Sequence, residues 1–186
     1  IRLEYLRDGI EDFQYLTMIE ELYGREKADE IVDTYNSRDP ERIAKLCGIL
    51  IKEVDWDKQS GAYTEILRQP VIFISKNLRR SMRSVVIAHE LGHHFLHRKE
   101  AAEVGGFKEF EVFNMTKSNL EYEANIFAAQ LLLPDDAVKE MVYNGYDSQK
   151  IAQATGSEIN LVALKVADLV MKGMPFRKQE YRNRFY

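Results

Sequence analysis

His89-Glu90-Leu91-Gly92-His93, set in the longer run from Ser84-Val85-Val86-Ile87-Ala88 to His94-Phe95-Leu96, decides how this chain is read. In a helix, residues four apart lie about 40° from each other around the axis and one turn apart along it, so both imidazoles can reach one cation. The Glu90 carboxylate stands beside them. An H-E-x-x-H helix of this kind holds Zn²⁺ through its two His, while its Glu takes a proton from the attacking water. Three fixed positions also arise by accident, and the plain alternative is an exposed helix with solvated His and Glu. The apolar residues on both sides argue for a buried helix instead, in which His and Glu require partners. Gly92 costs such a helix on the order of 1 kcal/mol relative to Ala, which implies that another backbone passes close to it.

Two His do not complete a catalytic zinc site; the usual solution is three protein ligands and one open position. His94 points about 100° away from His93, which suits a surface or supporting group better than a ligand. His97 continues the i, i+4 row one turn further, near the cleft rim, where packing or substrate contact is the better expectation. The stronger candidates lie in Leu120-Glu121-Tyr122-Glu123-Ala124-Asn125. Glu121 meets the metal if this segment is a helix crossing beneath the first, and Asn125, one turn on, then reaches a ligand imidazole. Glu123 is the alternative ligand on a different face. Ser118-Asn119-Leu120-Glu121 also has the form of a capping box, which would give Glu121 a purely structural role.

Outward from the motif, Ile49 to Val54, Ala62 to Leu67 and Val71 to Ser75 read as short strands with turn signals at Asp55-Trp56-Asp57-Lys58, Ser60-Gly61 and Gln69-Pro70. They predict a small antiparallel sheet leading into the His-bearing helix, with an edge open to an extended peptide. Before it, helices are expected at Glu11 to Leu22, at Lys27 to Tyr35 and from Asp39-Pro40-Glu41 to about Gly48, with Asp39 as cap and Pro40 at the first helical position. After it, Glu103 to Asn114, with Gly105-Gly106 and three alternating Phe, reads as a loop or hairpin beside the cleft. Helices follow at Ser118 to Leu133, closed by Pro134, then at Asp135 to Tyr143, Ser148 to Thr155 and Glu158 to Met171. The fold class is therefore α+β and mainly helical. A helical extension occupies 1–38, the core 39–143, and a C-terminal helical segment with a basic tail 144–186.

With 186 residues, 45% hydrophobic and 30% charged, the chain can bury a full core and needs no metal merely to hold together. No apolar run approaches the ~20 residues of a membrane span. The single cysteine, Cys47, excludes an internal disulfide. Ile1-Arg2-Leu3-Glu4-Tyr5 lacks the apolar core of a secretory signal, so a cytoplasmic location is expected. The net charge of −4 is uneven: residues 1–41 are acidic, whereas 172–186 carry five Lys or Arg among aromatic residues. Such a tail suits nucleic acid or an acidic partner, although a docked or frayed terminus is the better expectation.

His89 to His93, followed by Glu121-Tyr122-Glu123-Ala124-Asn125-Ile126-Phe127-Ala128-Ala129-Gln130-Leu131-Leu132-Leu133-Pro134, closely resembles the ImmA/IrrE family of metallo-endopeptidases over roughly residues 42–170. The resemblance implies Zn²⁺, or Mn²⁺ in its place, held by His89, His93 and Glu121, with Glu90 as catalytic base and Asn125 supporting a ligand His. It also implies a protein substrate, a partner helix-turn-helix repressor of a mobile element, prophage or stress regulon. Ser148 to Gly156 and the helix after it look like the helix-turn-helix-like segment of that family. Glu158 and Asp168 on or near the second helix favour packing or protein docking over direct DNA reading. Neither the oligomeric state nor an oxyanion-stabilising side chain is set by the sequence, with Tyr63, Tyr122 and His97 open for the latter. A rival of another class is a non-catalytic antirepressor or DNA-associated binding module with a structural metal site. It requires a fourth protein ligand and has no use for Glu90.

Overall fold

A computed structural model describes residues 11–99 and 119–177 of the chain. The expected loop from Glu103 to Asn114, the Ser118 cap and the end of the basic tail lie outside the described residues. Helix α1 spans Glu11–Tyr35 without interruption, where the sequence suggested two helices. Gly24 lies in the gap between those two expected helices, and a Cβ there would come within 3.2 Å of the Glu123 carbonyl oxygen and 3.4 Å of Ile126 Cγ2. Its missing side chain lets two helices lie close, and that packing offsets the intrinsic cost of Gly in a helix. Asn36 then turns left-handed at φ 45° and ends the helix. Helix α2, Pro40–Leu46, starts as expected, with the Asp39 carboxylate accepting from the Glu41 and Arg42 N–H groups at 3.0 and 3.4 Å.

Strands β1 (Leu50–Val54), β2 (Gly61–Ile66) and β3 (Gln69–Ser75) form one sheet in the order β1-β3-β2. The sheet is mixed, which corrects the antiparallel expectation: β1 runs parallel to β3, with Leu50 opposite Val71, while β2 is antiparallel to β3, with Tyr63 opposite Ile72. The cause lies in residues 55–60. The Ser75 hydroxyl donates to the Trp56 carbonyl at 2.8 Å and the Ser75 N–H to that of Ser60 at 2.9 Å, so this link crosses the end of β3 and delivers β2 to its far edge. The hairpin turn is Leu67-Arg68, at φ 49° and 68°, and the expected turn pair Gln69-Pro70 belongs to β3 instead. Two positive-φ residues match the strand twist in a two-residue hairpin. Leu-Arg carries none of the usual Asn-Gly signal for it.

Helix α3, Arg80–Leu96, is buried without break from Val85 to His93. It lies between the sheet, whose Tyr63, Ile72 and Ile74 are fully buried, and helix α4, Asn119–Leu132. Helix α4 is central: Glu123 to Leu131 are all buried, and it packs on α1 as well as on α3. Beyond Pro134 come α5 (Asp135–Tyr143), α6 (Ser148–Thr155) and α7 (Ile159–Met171). Asp147 caps α6, Gly156 turns left-handed at φ 66°, and Glu158 caps α7 rather than starting it. Leu161 to Val166 are all buried, so α7 is a core helix packed on α4 and α6. The architecture among the described residues is seven helices around a three-stranded sheet, an α+β fold. Among the described residues no helix is long and apolar enough to cross a membrane.

A buried polar network joins the helices behind the sheet. The Lys165 ammonium, 1% exposed, donates to Gln130 Oε1 and Asp135 Oδ1. Gln130 Nε2 donates in turn to Asp29 Oδ1 at 2.8 Å, and Lys172 bridges Asp135 and Asp168 at 3.0 and 3.1 Å. Arg25 of α1 pairs with Asp168 of α7. Asp135 is half-buried, and although burial alone would raise it, the Lys165 and Lys172 charges hold its carboxyl down at about 2.

Candidate metal centre

The site exists because α4 comes unusually close to α3. A Cβ on Gly92 would stand 2.9 Å from Ala124 Cα and 3.1 Å from both its Cβ and its carbonyl oxygen, so only glycine permits this crossing. The backbone approach expected from the sequence is therefore that of Ala124. One turn before Ala124, Glu121 is brought under the His pair. The Nε2 atoms of His89 and His93 are 3.1 Å apart, and Glu121 Oε2 lies 3.3 Å from the first and 3.5 Å from the second. His89, His93 and Glu121 form one cluster of three donors, the two His fully buried and Glu121 partly so.

Those separations suit a small tetrahedral cation, because bonds of about 2.0–2.1 Å hold neighbouring ligand atoms about 3.3 Å apart. The hydrogen bonds of the two rings agree. Asn125 Oδ1 accepts from His89 Nδ1 at 2.9 Å, which leaves His89 Nε2 to face Glu121 and, once deprotonated, a cation. His93 Nδ1 lies 3.1 Å from His97 Nδ1, and His97 Nε2 lies 3.0 Å from Glu123 Oε2. Glu123 thus holds His97 rather than joining the cluster. His97 is 2% exposed, buried behind His93 and not at the cleft rim.

Electrostatics separate the two carboxylates. Burial opposes ionisation of Glu121, but its place against the His89 and His93 nitrogens outweighs that and holds the carboxyl well below the usual range. Burial also pushes His93 down to about 4, against the pull of Glu121, so its ring is neutral as a metal ligand must be. Glu90 moves the other way. Its burial, the largest cause, raises it to about 8, with the His89 charge opposing, Glu121 adding and the Tyr63 backbone N–H pulling weakly down. Both its oxygens are shut from solvent and complete no hydrogen bond of good geometry. Strand β2 makes room for it: a Cβ on Gly61 would lie 2.6 Å from Glu90 Oε1 and 2.5 Å from Val86 Cγ1. A buried carboxyl that completes no well-formed hydrogen bond, beside three convergent N, N and O ligand atoms, is a lining that fits a small cation and its water.

The remaining candidates are placed elsewhere. The Tyr63 hydroxyl is committed to His94 Nδ1 at 2.9 Å. Burial lowers His94 to about 4 and raises Tyr63 to about 12, so the hydroxyl donates and the ring accepts. Tyr122 packs half-buried against the core. The link through His97 to Glu123 went unread in the sequence. Its signal was the three-membered row His89, His93, His97 at four-residue spacing, together with an acidic residue in an otherwise apolar stretch of α4.

Fold and site together define a mainly helical α+β protein with a His-His-Glu cluster able to hold a metal. The chain belongs to the peptidase M78 family, the IrrE N-terminal-like domain, whose model matches residues 44–166. It is 29% identical over 132 residues to metallopeptidase ImmA of Bacillus subtilis (strain 168), an alignment covering 69% of this chain and 75% of that protein. It is 32% identical over 138 residues to the uncharacterized immunity region protein 2 of Bacillus phage phi105, covering 73% and 84% respectively. Helix α1 lies before the family match and nevertheless packs on α4.

Proposed function

We propose that the chain is a zinc-dependent endopeptidase that cleaves a partner helix-turn-helix repressor of a mobile element, prophage or stress regulon. The observation that carries this reading is the convergence of His89, His93 and Glu121 beside the buried carboxylate of Glu90. His89 Nε2, His93 Nε2 and a Glu121 oxygen would hold the cation. Zn²⁺ is assigned over Mn²⁺ because two imidazoles and one carboxylate bind it more tightly. When bound, it would acidify a water molecule and polarise the scissile carbonyl. Glu90 accepts the proton of the attacking water and returns it to the leaving amine nitrogen. Asn125 and His97 keep the outer nitrogens of the two ligand rings engaged.

Among the described residues the cluster has three donors, the ligand number of an open catalytic site rather than the four of a closed structural one. A chemistry-bearing core at 39–143 fits this reading, with 1–38 as an N-terminal extension and 144–186 as a C-terminal segment. The repressor as target is supported by the names of the relatives, a metallopeptidase and a phage immunity-region protein. The test is mass spectrometry of the zinc-loaded chain mixed with a candidate helix-turn-helix repressor, combined with elemental analysis. Discrete fragments with wild type and none with Glu90→Gln are expected. An intact repressor in both mixtures removes the peptidase reading of this pair, and one zinc per chain in the same sample would leave the binding-module alternative.

A further inference from the structure

We infer that His97 and Glu123 are positioning residues for His93, a hydrogen-bonded chain that fixes which nitrogen of His93 carries its proton and leaves the other bare for the metal. The inference rests on the metal-centre reading above and extends it to two residues outside the donor cluster.

Direction in the chain follows from its acidic end. An ionised carboxylate can only accept, so at 3.0 Å His97 Nε2 donates to Glu123 Oε2. With His97 neutral its second nitrogen is then an acceptor, and in that state the contact of 3.1 Å between the two Nδ1 atoms carries the proton of His93. His93 Nε2 is left unprotonated, facing Glu121 at 3.5 Å. His97 is fixed for this task. It ends α3, with its own N–H bonded to the His93 carbonyl at 2.9 Å, and it is buried. Glu123 is 9% exposed and projects from α4, so the chain also ties the end of α3 to the helix that supplies Glu121. The two candidate ligand rings are held differently: His89 by the amide oxygen of Asn125, His93 through an imidazole by a carboxylate. The second arrangement also makes the ligand nitrogen more basic.

A simple structural clasp between α3 and α4 would make the same contacts, so the test must read the metal and the proton as well as stability. The full-length chain and its His97→Phe, His97→Gln and Glu123→Leu variants would be titrated with Zn²⁺ in competition with a chromogenic chelator. In the metal-free proteins, ¹H–¹⁵N NMR of the imidazoles reports which nitrogen of His93 is protonated. The expected wild-type result is a single Nδ1–H tautomer of His93. His97→Phe should lose about 10- to 100-fold in zinc affinity and show mixed tautomers. His97→Gln, whose amide oxygen can accept the same proton, should recover most of the loss. Wild-type affinity and an unchanged His93 tautomer in His97→Phe would overturn the inference, as would equal losses in the Phe and Gln variants. Where His97→Phe does not fold, Glu123→Leu decides: it keeps His97 but removes the acceptor that sets the direction, and wild-type behaviour there refutes the chain. A wild-type protein that binds no zinc sinks the metal-centre reading, while the NMR result still decides the hydrogen-bonded chain by itself.

Discussion

Replacing Gly92 by Ala sets two physical effects against each other. Helix propensity alone says that the substitution stabilises α3 by about 1 kcal/mol. The crossing says otherwise, because the new methyl would meet Ala124 Cα at 2.9 Å and its Cβ and carbonyl oxygen at 3.1 Å, none of which can rotate away. Comfortable carbon contacts lie at about 3.5–4.0 Å, so α4 must retreat by roughly 0.5–1 Å. Overpacking of this kind costs about 1–3 kcal/mol, leaving a net loss between about zero and 2 kcal/mol. For a chain of this size each kcal/mol moves Tm by about 2–4 °C. The site should suffer more than the fold. Glu121 rides on the same face of α4, three residues before Ala124, and a retreat beyond about 0.5 Å exceeds what a preorganised constellation tolerates. Zinc affinity is expected to fall by about tenfold or more, with Tm of the metal-free chain lower or level. Calorimetry and chelator competition on the same preparation measure both. A Tm raised by about 2–4 °C with unchanged zinc affinity would show that the helices do not cross as described.

Other outcomes follow from the same geometry. Glu90→Gln should keep zinc and abolish cleavage, whereas His93→Ala should lose both, as read by elemental analysis and fragment mass spectrometry; wild-type cleavage by Glu90→Gln removes the assigned base. The same substitution has a pH signature in the metal-free chain. The Glu90 pKa rises from 4.5 to about 8 on folding, so between those values the folded state keeps a proton that the unfolded state releases. Its contribution to stability therefore falls as pH rises through that window. Urea unfolding should show Glu90→Gln gaining on wild type from pH 5 to pH 8, and a constant gap would contradict the burial of the carboxylate. Chelator treatment should lower Tm, and zinc at a hundred times its Kd should return about 2.7 kcal/mol to wild type but nothing to His93→Ala. Lys165→Met removes the cation between Gln130 and Asp135 and should cost about 3–5 kcal/mol in urea unfolding. Zinc affinity should stand, because Gln130 lies about 13 Å along α4 from Glu121; an unaltered midpoint would deny the network its role.

Local chemistry was legible in the sequence wherever a single residue type decides a local event. Asp39 before Pro40 marked the start of α2, Gly92 in an apolar helix marked a close neighbour, and the two ends of α5 and α6 were read to the residue. What escaped was set by contacts distant in sequence. Gly24 resembles a helix break until Glu123 and Ile126 are seen beside it. The strand order depends on Ser75 catching the link at Trp56 and Ser60, which no alternation of apolar residues encodes. His97 and Glu123 were each judged as a possible ligand by its own angle on its own helix. Their actual relation joins two helices across 26 residues of chain.

The burial of α4 from Glu123 to Leu131 leaves that helix without a wet side. Every position there answers to a neighbour on α1, α3 or α7, and the rod that presents Glu121 has no silent site where variation can accumulate. Change tolerated without disturbing the core must therefore fall on the periphery, the β2 edge or the helix ends, while the spine behind the His-His-Glu cluster stays as it is.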